Sequence, residues 1–299
     1  MRTTLNVTSS PGKRDNVAYV FLLPWLIGFV TLTLGPVLAS FYFSLTNYDL
    51  LSAPRFIGVA NFTNIFSDPY FWTSLKVTLT YVAISVPLRL IVALLVAALV
   101  NKPIRGMSIY RALIYLPSLL GGSVGTAIGW QALFSQNGPI DQALGLVGIR
   151  GPIWLGNPNT ALLVIILMTV WQFGSEMVVF MAGMKQIPVH LYEASVIDGA
   201  GLWTRFTKIT LPILTPIIFF NLVMGTINSF MVFTQVYVIT DGGPLNATLV
   251  YVLYLYEQGF QYFHMGYAAA LAVLLFILIA IFTGVFFLTS RWWVKYDLY

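Results

Sequence analysis

The chain has 299 residues, 58% of them hydrophobic and only 8% charged, with a mean hydropathy of +0.84. A soluble domain is about 45–50% apolar and about 25% charged, so this composition excludes an ordinary globule and points to an all-α protein that crosses a membrane repeatedly. There is no cysteine and there are only two histidines, His190 and His264, which excludes disulfides and thiolate metal sites and argues against a histidine-based metal or catalytic centre. The formal charge of +5 invites a nucleic-acid partner until its distribution is followed along the chain.

Arg2, Lys13 and Arg14 precede an uncharged run of 30 residues from Val17 to Thr46. A signal-peptide core is about 7–15 residues, so the run is expected to be an uncleaved first span, about 17–41, behind a tail of residues 1–16. A span needs about 20 apolar residues. Five more segments qualify: about 77–101, 112–134, 159–183, 214–239 and 266–290. The spacing therefore predicts six transmembrane helices. Pro24, Gly35-Pro36, Pro87 and Gly121-Gly122 punctuate them, which lipid-embedded helices tolerate. The loops 47–76, 135–158 and 240–265 are short and rich in turn formers, the last carrying Asp241-Gly242-Gly243-Pro244.

Basic residues set the orientation. Eleven of the fifteen (Arg2, Lys13, Arg14, Lys102, Arg105, Arg111, Lys185, Arg205, Lys208, Arg291 and Lys295) fall on one side. Arg55, Lys76 and Arg150 fall on the other, and Arg89 lies within a span. Both termini are then cytoplasmic, including a tail from 291 to 299. The +5 is a topology signal, and no nucleic-acid partner is implied.

Polar groups inside spans are costly and often functional. Gln172, Ser175 and Glu176 stand at i, i+3 and i+4, so a continuous helix puts them on one face. Asn228 and Gln235 are seven apart, with Ser229 and Thr234 beside them. These two faces could line a pathway for a polyhydroxylated solute, with Trp171 and Tyr237 available to stack on it; equally, they could cement helix contacts. Arg89 could be the counter-charge of Glu176 or a contact for an anionic substrate.

The segment Leu191–Pro216 places Glu193, Asp198, Arg205 and Lys208 between two apolar runs on the cytoplasmic side. Pro188 suits a helix start. Gly199-Ala200-Gly201 breaks that helix, and Asp198 is expected to cap a second one through Leu202, Trp203, Phe206 and Ile209. By pattern alone this is a helix–turn–helix on the cytoplasmic face, either resting on headgroups or docking a partner.

Glu193-Ala194-Ser195, then Gly199 after three positions, then Ile209 after nine more, with Leu211-Pro212 following, resembles the EAA loop of ABC-importer permeases. Ser195 in place of the third small residue is the one departure. Phe66-Ser-Asp-Pro-Tyr-Phe-Trp72, Asn101-Lys-Pro-Ile-Arg105 and Arg111-Ala-Leu-Ile-Tyr-Leu-Pro117 are similar to that family as well. Thr240-Asp-Gly-Gly-Pro244 with Thr248, Tyr256-Glu257, Phe260 and Gly266-Tyr267-Ala268 is similar to its carbohydrate-uptake branch, of the maltose/glycerol-3-phosphate type.

The resemblance implies a type I ABC-importer permease fold in a bacterial inner membrane. It implies a heterodimer with a second permease, two ATP-binding subunits beneath, and a periplasmic or lipid-anchored solute-binding protein that delivers a sugar. Loop 185–212 would be the coupling element, with Glu193, Ala194, Ser195, Asp198, Gly199, Ala200, Leu211 and Pro212 facing or shaping the ATPase contact. The chain has no G-x-x-x-x-G-K-[ST] of its own, so ATP and Mg would be bound by the partner ATPase. No cofactor, metal or catalytic residue is expected in this chain. A secondary transporter of a small polar solute is the rival; it has no need of the 191–216 pattern and usually shows inverted repeats.

Overall fold

The computed structural model of the protein describes residues 11–101 and 104–295. Arg2, Lys102, most of the expected tail 1–16 and the end of the tail 291–299 lie outside the described residues. The chain is helical, with one two-residue antiparallel ladder. In order, α1 (Pro11–Phe29) continues through a π-helical turn (Val30–Leu34) into α2 (Gly35–Ser44). There follow β1 (Thr46–Asn47), β2 (Arg55–Phe56), α3 (Ala60–Phe66), α4 (Pro69–Val100), α5 (Met107–Leu120), α6 (Val124–Leu133) and α7 (Pro139–Leu146). Next come α8 (Ala161–Trp171), α9 (Gly174–Met184), α10 (Val189–Ile197), α11 (Leu202–Arg205), a π-helical turn (Phe206–Thr210), α12 (Leu211–Ile213) and α13 (Thr215–Phe230). The chain closes with α14 (Thr234–Ile239), α15 (Tyr251–Tyr256), a π-helical turn (Glu257–Gln261) and α16 (Met265–Trp293).

Among the described residues four helices are long and apolar enough to cross a membrane: Phe21–Ser44, Pro69–Val100, Ala161–Met184 and Met265–Trp293. Two bent pairs pass the same test as broken spans: Met107–Leu120 with Val124–Leu133, and Leu202–Ile213 with Thr215–Phe230.

Helix α4 is the mast of the fold. Its 32 residues span about 48 Å at 1.5 Å per residue, more than the hydrocarbon core of about 30 Å. It therefore starts eight residues before the expected span, at Pro69 rather than 77. The start is set locally: Asp68 accepts the backbone N–H of Tyr70 at 2.8 Å, and Pro69 fills the first helical position. Tyr81, Val86, Leu90, Ala93 and Ala97 form its buried stripe, and α8, α9 and α13 pack along it. Ala93 and Ala97 are fully buried, and such small residues let neighbouring backbones approach closely in lipid.

Asp68 also ties down the end of the molecule where α4 begins. Its second carboxylate oxygen accepts the hydroxyls of Tyr254 and Tyr267, and burial pushes the Tyr254 hydroxyl up, with the bond to Asp68 next in weight. Asp68→Ala should remove the cap and orphan both phenols, costing about 2–4 kcal/mol. A drop in thermal midpoint of the detergent-solubilised protein is the expected readout, with Asp68→Asn falling between mutant and wild type.

Three expected spans are interrupted. Span three is bent by 100° between α5 and α6, because Ser123 accepts the Thr126 N–H at 3.2 Å and starts a new helix after Gly121-Gly122. Span four breaks after Trp171 and resumes at Gly174. There a Cβ on Gly174 would lie 2.9 Å from the Tyr115 Cα, so α5 can only approach a glycine. Span five ends at Phe230 rather than 239, in two short turns (Met231 N–H to Asn228 O, 3.2 Å; Val232 N–H to Ser229 O, 3.3 Å), before α14 begins. Below it, α12 and α13 meet at 66°.

The first span is a case apart. None of its most apolar window is buried by the rest of the chain. Its C-terminal half, α2, lies along α16, while Phe21 and Leu32 stay 81% and 79% exposed.

Candidate coupling element and membrane-embedded cavity

Helix α10 begins directly after Pro188 and ends at Asp198, whose N–H bonds to the Ala194 carbonyl at 3.0 Å. Asp198 therefore closes the first helix and does not cap the second, which starts at Leu202 behind Gly201. Gly199 takes φ +73°. The Ala200 N–H reaches back to Ser195 O at 2.9 Å and the Gly199 N–H to Val196 O at 3.0 Å. This is a Schellman termination, in which the left-handed residue is usually glycine because a Cβ is strained there. The expected sharp turn thus has a specific cause.

Other contacts fold the loop into one unit. Ser195 is buried, its hydroxyl donating to Tyr192 O at 2.7 Å, which accounts for a small residue at that place in the pattern. The hydroxyls of Tyr192 and Thr210 share a hydrogen bond of 2.8 Å, and Arg205 Nε donates to Ala200 O at 2.9 Å. Leu211 and Pro212 are half-buried at the bend into α13, and Ala200 is half-buried in the turn. Glu193, Ala194 and Asp198 are exposed, and beside them Ile197, Leu202 and Trp203 are 87%, 81% and 72% exposed. An ordered element that presents apolar and acidic groups together has the composition of a docking surface.

Above it, all three helix breaks converge on one polar cavity of about 240 Å³. Gly122 comes from the first break, Gln172 from the second and Met231, Val232 and Phe233 from the third; Arg89 and Tyr81 close it from α4. Non-helical backbone at membrane depth is tolerated only when buried in protein or lining an aqueous cavity, and here it does the latter. Gln172, Asn228, Ser229 and Gln235 all line this space.

The remaining pathway residues sit elsewhere. Glu176 adjoins the cavity through Arg89. Ser175 is exposed on another side of α9: the single face expected for Gln172, Ser175 and Glu176 does not exist, because the helix breaks after Trp171 and resumes only at Gly174. Trp171 packs on Trp130, ring centroids 5.7 Å apart, away from the cavity. Tyr237 stacks on Phe233 at 5.3 Å and meets Tyr256 at 5.7 Å, so it belongs to an aromatic group adjoining the cavity rather than to its wall. Tyr81, Thr169 and Phe233 line the space without having been signalled as polar faces; a hydrogen bond of 2.8 Å joins the first two hydroxyls.

Arg89 and Glu176 form an ion pair, Nη2 to Oε1, at 2.9 Å. The same Nη2 donates to the Gln172 carbonyl at 2.8 Å, and Ser118 Oγ donates to that carbonyl at 2.9 Å. The break thus exposes an acceptor, and a cation and a hydroxyl satisfy it. Arg89 Nε, Gln172 Nε2 and Glu176 Oε2 are buried without a partner, an exception in a folded protein. Among the described residues no group of His, Asp or Glu is placed to hold a metal.

An ordered, exposed helical hairpin and a polar cavity between broken spans are parts that a membrane transport subunit uses. The chain belongs to the binding-protein-dependent transport system inner membrane component family, which it matches over residues 76–293. It is 50% identical, over 95% of its length and 94% of the relative's, to the probable ABC transporter permease protein YesP of Bacillus subtilis. It is 32% identical to the trehalose/maltose transport system permease protein MalF of Thermococcus litoralis, over 96% of this chain and 98% of that one. To the sn-glycerol-3-phosphate permease protein UgpA of Yersinia pestis it is 33% identical over 87% and 89%. Its fold matches a chain of the crystal structure of a bacterial alginate ABC transporter in complex with alginate pentasaccharide-bound periplasmic protein, with TM-score 0.80 and 24% identity over 93% of this chain and 95% of that one. It is accordingly a multi-pass, inner-membrane permease of the binding-protein-dependent class.

Proposed function

We propose that the chain is one of two permeases that together form the translocation pathway of an ATP-driven importer of a sugar or sugar derivative. The observation that carries this is the Leu191–Pro212 hairpin: the EAA pattern folds into an ordered, partly apolar element whose Ile197, Leu202 and Trp203 stay exposed among the described residues. Two ATP-binding subunits dock there, contacting Glu193, Ala194 and Asp198, while Ser195, Gly199, Ala200, Leu211 and Pro212 hold its shape. ATP and Mg are bound by those subunits. The second permease rests on the family resemblance; the first span, little covered by the described residues, offers its surface to lipid or to that partner. A solute-binding protein outside the membrane delivers the carbohydrate to the cavity at Gln172, Asn228, Ser229 and Gln235. Amides and hydroxyls suit a polyol, and the permeases named for trehalose/maltose and glycerol phosphate are relatives.

The topology of this proposal has six spans and both termini cytoplasmic, with tails 1–16 and 291–299, a spanning domain 17–290 and the coupling loop 185–212 inside. The side with eleven of fifteen basic residues is the cytoplasmic one by the positive-inside rule, and the membrane is the bacterial inner membrane. Gentle purification of the tagged chain from its native membrane, with mass spectrometry of what accompanies it, tests the assembly. An ATPase and a second six-span permease are expected; a chain accompanied only by copies of itself contradicts the proposal and returns the hairpin to a helix resting on headgroups.

A further inference from the structure

The break at Gln172 and the coupling hairpin are the two ends of one short rod. Helix α9 has 11 residues and leads into α10 through four residues only, 185–188, held by consecutive turns (Gln186 N–H to Gly183 O, 3.0 Å; Leu191 N–H to Pro188 O, 3.2 Å). Along its length the rod is tightly seated. Phe180 is fully buried, and a Cβ on Gly183 would fall 2.0 Å from Ile217 Cδ1. At its upper end one guanidinium nitrogen, Arg89 Nη2, grips both the loose Gln172 carbonyl and Glu176 in the first turn of α9. Arg89 and Gln172 also line the cavity.

We propose that Arg89 is a positioning residue that links cavity occupancy to the coupling hairpin: it fixes the upper end of α9 to the cavity wall, so that the rod moves as a unit when the wall rearranges. Three buried polar atoms beside this grip, Arg89 Nε, Gln172 Nε2 and Glu176 Oε2, have no partner. They give the cluster donors and an acceptor for a second arrangement, one that a hydroxyl-rich solute in the cavity can favour. A ligand shifts such an equilibrium only through contacts that differ between the two arrangements, and these atoms supply them. Arg89 suits the task because one nitrogen of its planar, permanently charged guanidinium holds both acceptors and leaves Nε over for a second arrangement.

The inference rests on the importer proposed above, and the test separates the two. The assembled transporter is reconstituted in liposomes with its binding protein, and ATP hydrolysis is measured with and without solute-loaded binding protein. For Arg89→Lys, the stimulation ratio is expected to fall about tenfold, inside the usual range of coupling energies, while the complex still assembles. Glu176→Gln, which keeps the shape and removes the charge, should lose part of the ratio. A wild-type ratio in assembled Arg89→Lys overturns the inference and leaves the importer intact, as does a ratio preserved in a complex that merely melts earlier. If Arg89→Lys does not assemble, Ser118→Ala decides: it removes the other donor to the Gln172 carbonyl and keeps the ion pair. A reduced ratio supports the linkage and an unchanged one refutes it. Absence of any ATPase from the wild-type complex refutes the importer itself.

Discussion

Gly199→Asp should nearly abolish binding-protein-stimulated ATP hydrolysis while leaving the permease folded. Gly199 holds φ +73° at the end of α10, and open space surrounds the position of its missing Cβ. The side chain therefore meets no clash, and the folding penalty is the left-handed strain alone, about 1–2 kcal/mol. Aspartate is among the residues that tolerate this region best. The hairpin keeps its hydrogen bonds from Ala200 to Ser195 and from Arg205 to Ala200. The interface fares worse. A second carboxylate next to exposed Asp198 would be buried against the ATPase without a partner, and an unpaired interfacial charge costs about 2–5 kcal/mol. Coupling should fall roughly 30-fold or more by that measure, with less ATPase subunit co-purified. Gly199→Ala carries similar strain and no charge, so it should keep most of the stimulation. Equal loss in both variants would assign the effect to the turn, and full stimulation in Gly199→Asp would remove the hairpin from the coupling path.

The parts of this architecture legible in the sequence are those with local causes. Asp68-Pro69 carries a helix-start signature, yet the expected span begins at 77, because a hydropathy window opens only where the apolar run does. Pro188, Gly199 and the small Ser195 announce a hairpin whose turn chemistry lies within a dozen residues. Arg89 and Glu176 are the only charges inside the expected spans, so each is the natural partner of the other, and they pair. The breaks at 121–123, 172–173 and 231–233 were not legible. A window of about 20 residues averages over a two-residue interruption, and glycine in a lipid-embedded helix is as often harmless as hinging. Without the break, helical periodicity carries Ser175 to the face of Gln172 and puts Trp171 and Tyr237 on the pathway wall, whereas Trp171 packs on Trp130 and Tyr237 reaches the wall only through Phe233. Phe233 and Tyr81 are illegible for the opposite reason. An aromatic in an apolar run carries no periodic signal, and only the fold brings these two to the same cavity.

Removing one member of the half-buried ion pair should damage the permease far more than removing both. In Glu176→Ala, Arg89 keeps its charge in a site where its side chain is 20% exposed and already has an orphaned Nε. Breaking a buried pair in this way costs about 3–5 kcal/mol, a large share of the roughly 5–15 kcal/mol by which domains are stable. The yield of monodisperse protein in detergent and its thermal midpoint should both drop sharply. The double variant Arg89→Leu/Glu176→Leu has no stranded charge. Replacing a buried pair with apolar side chains of similar size is often neutral or stabilising by about 1–4 kcal/mol, so its midpoint should return close to wild type. Ser118 would still hold the Gln172 carbonyl at the break. Transport should not return with stability, because the cavity loses its cation and α9 loses its tether to α4. A melting curve and an uptake assay on the same preparation read the two effects apart. A double variant as unstable as Glu176→Ala would show that the pair itself, and not the stranded charge, holds the span together. A double variant that is both stable and transport-competent would make the pair a dispensable feature of the membrane interior.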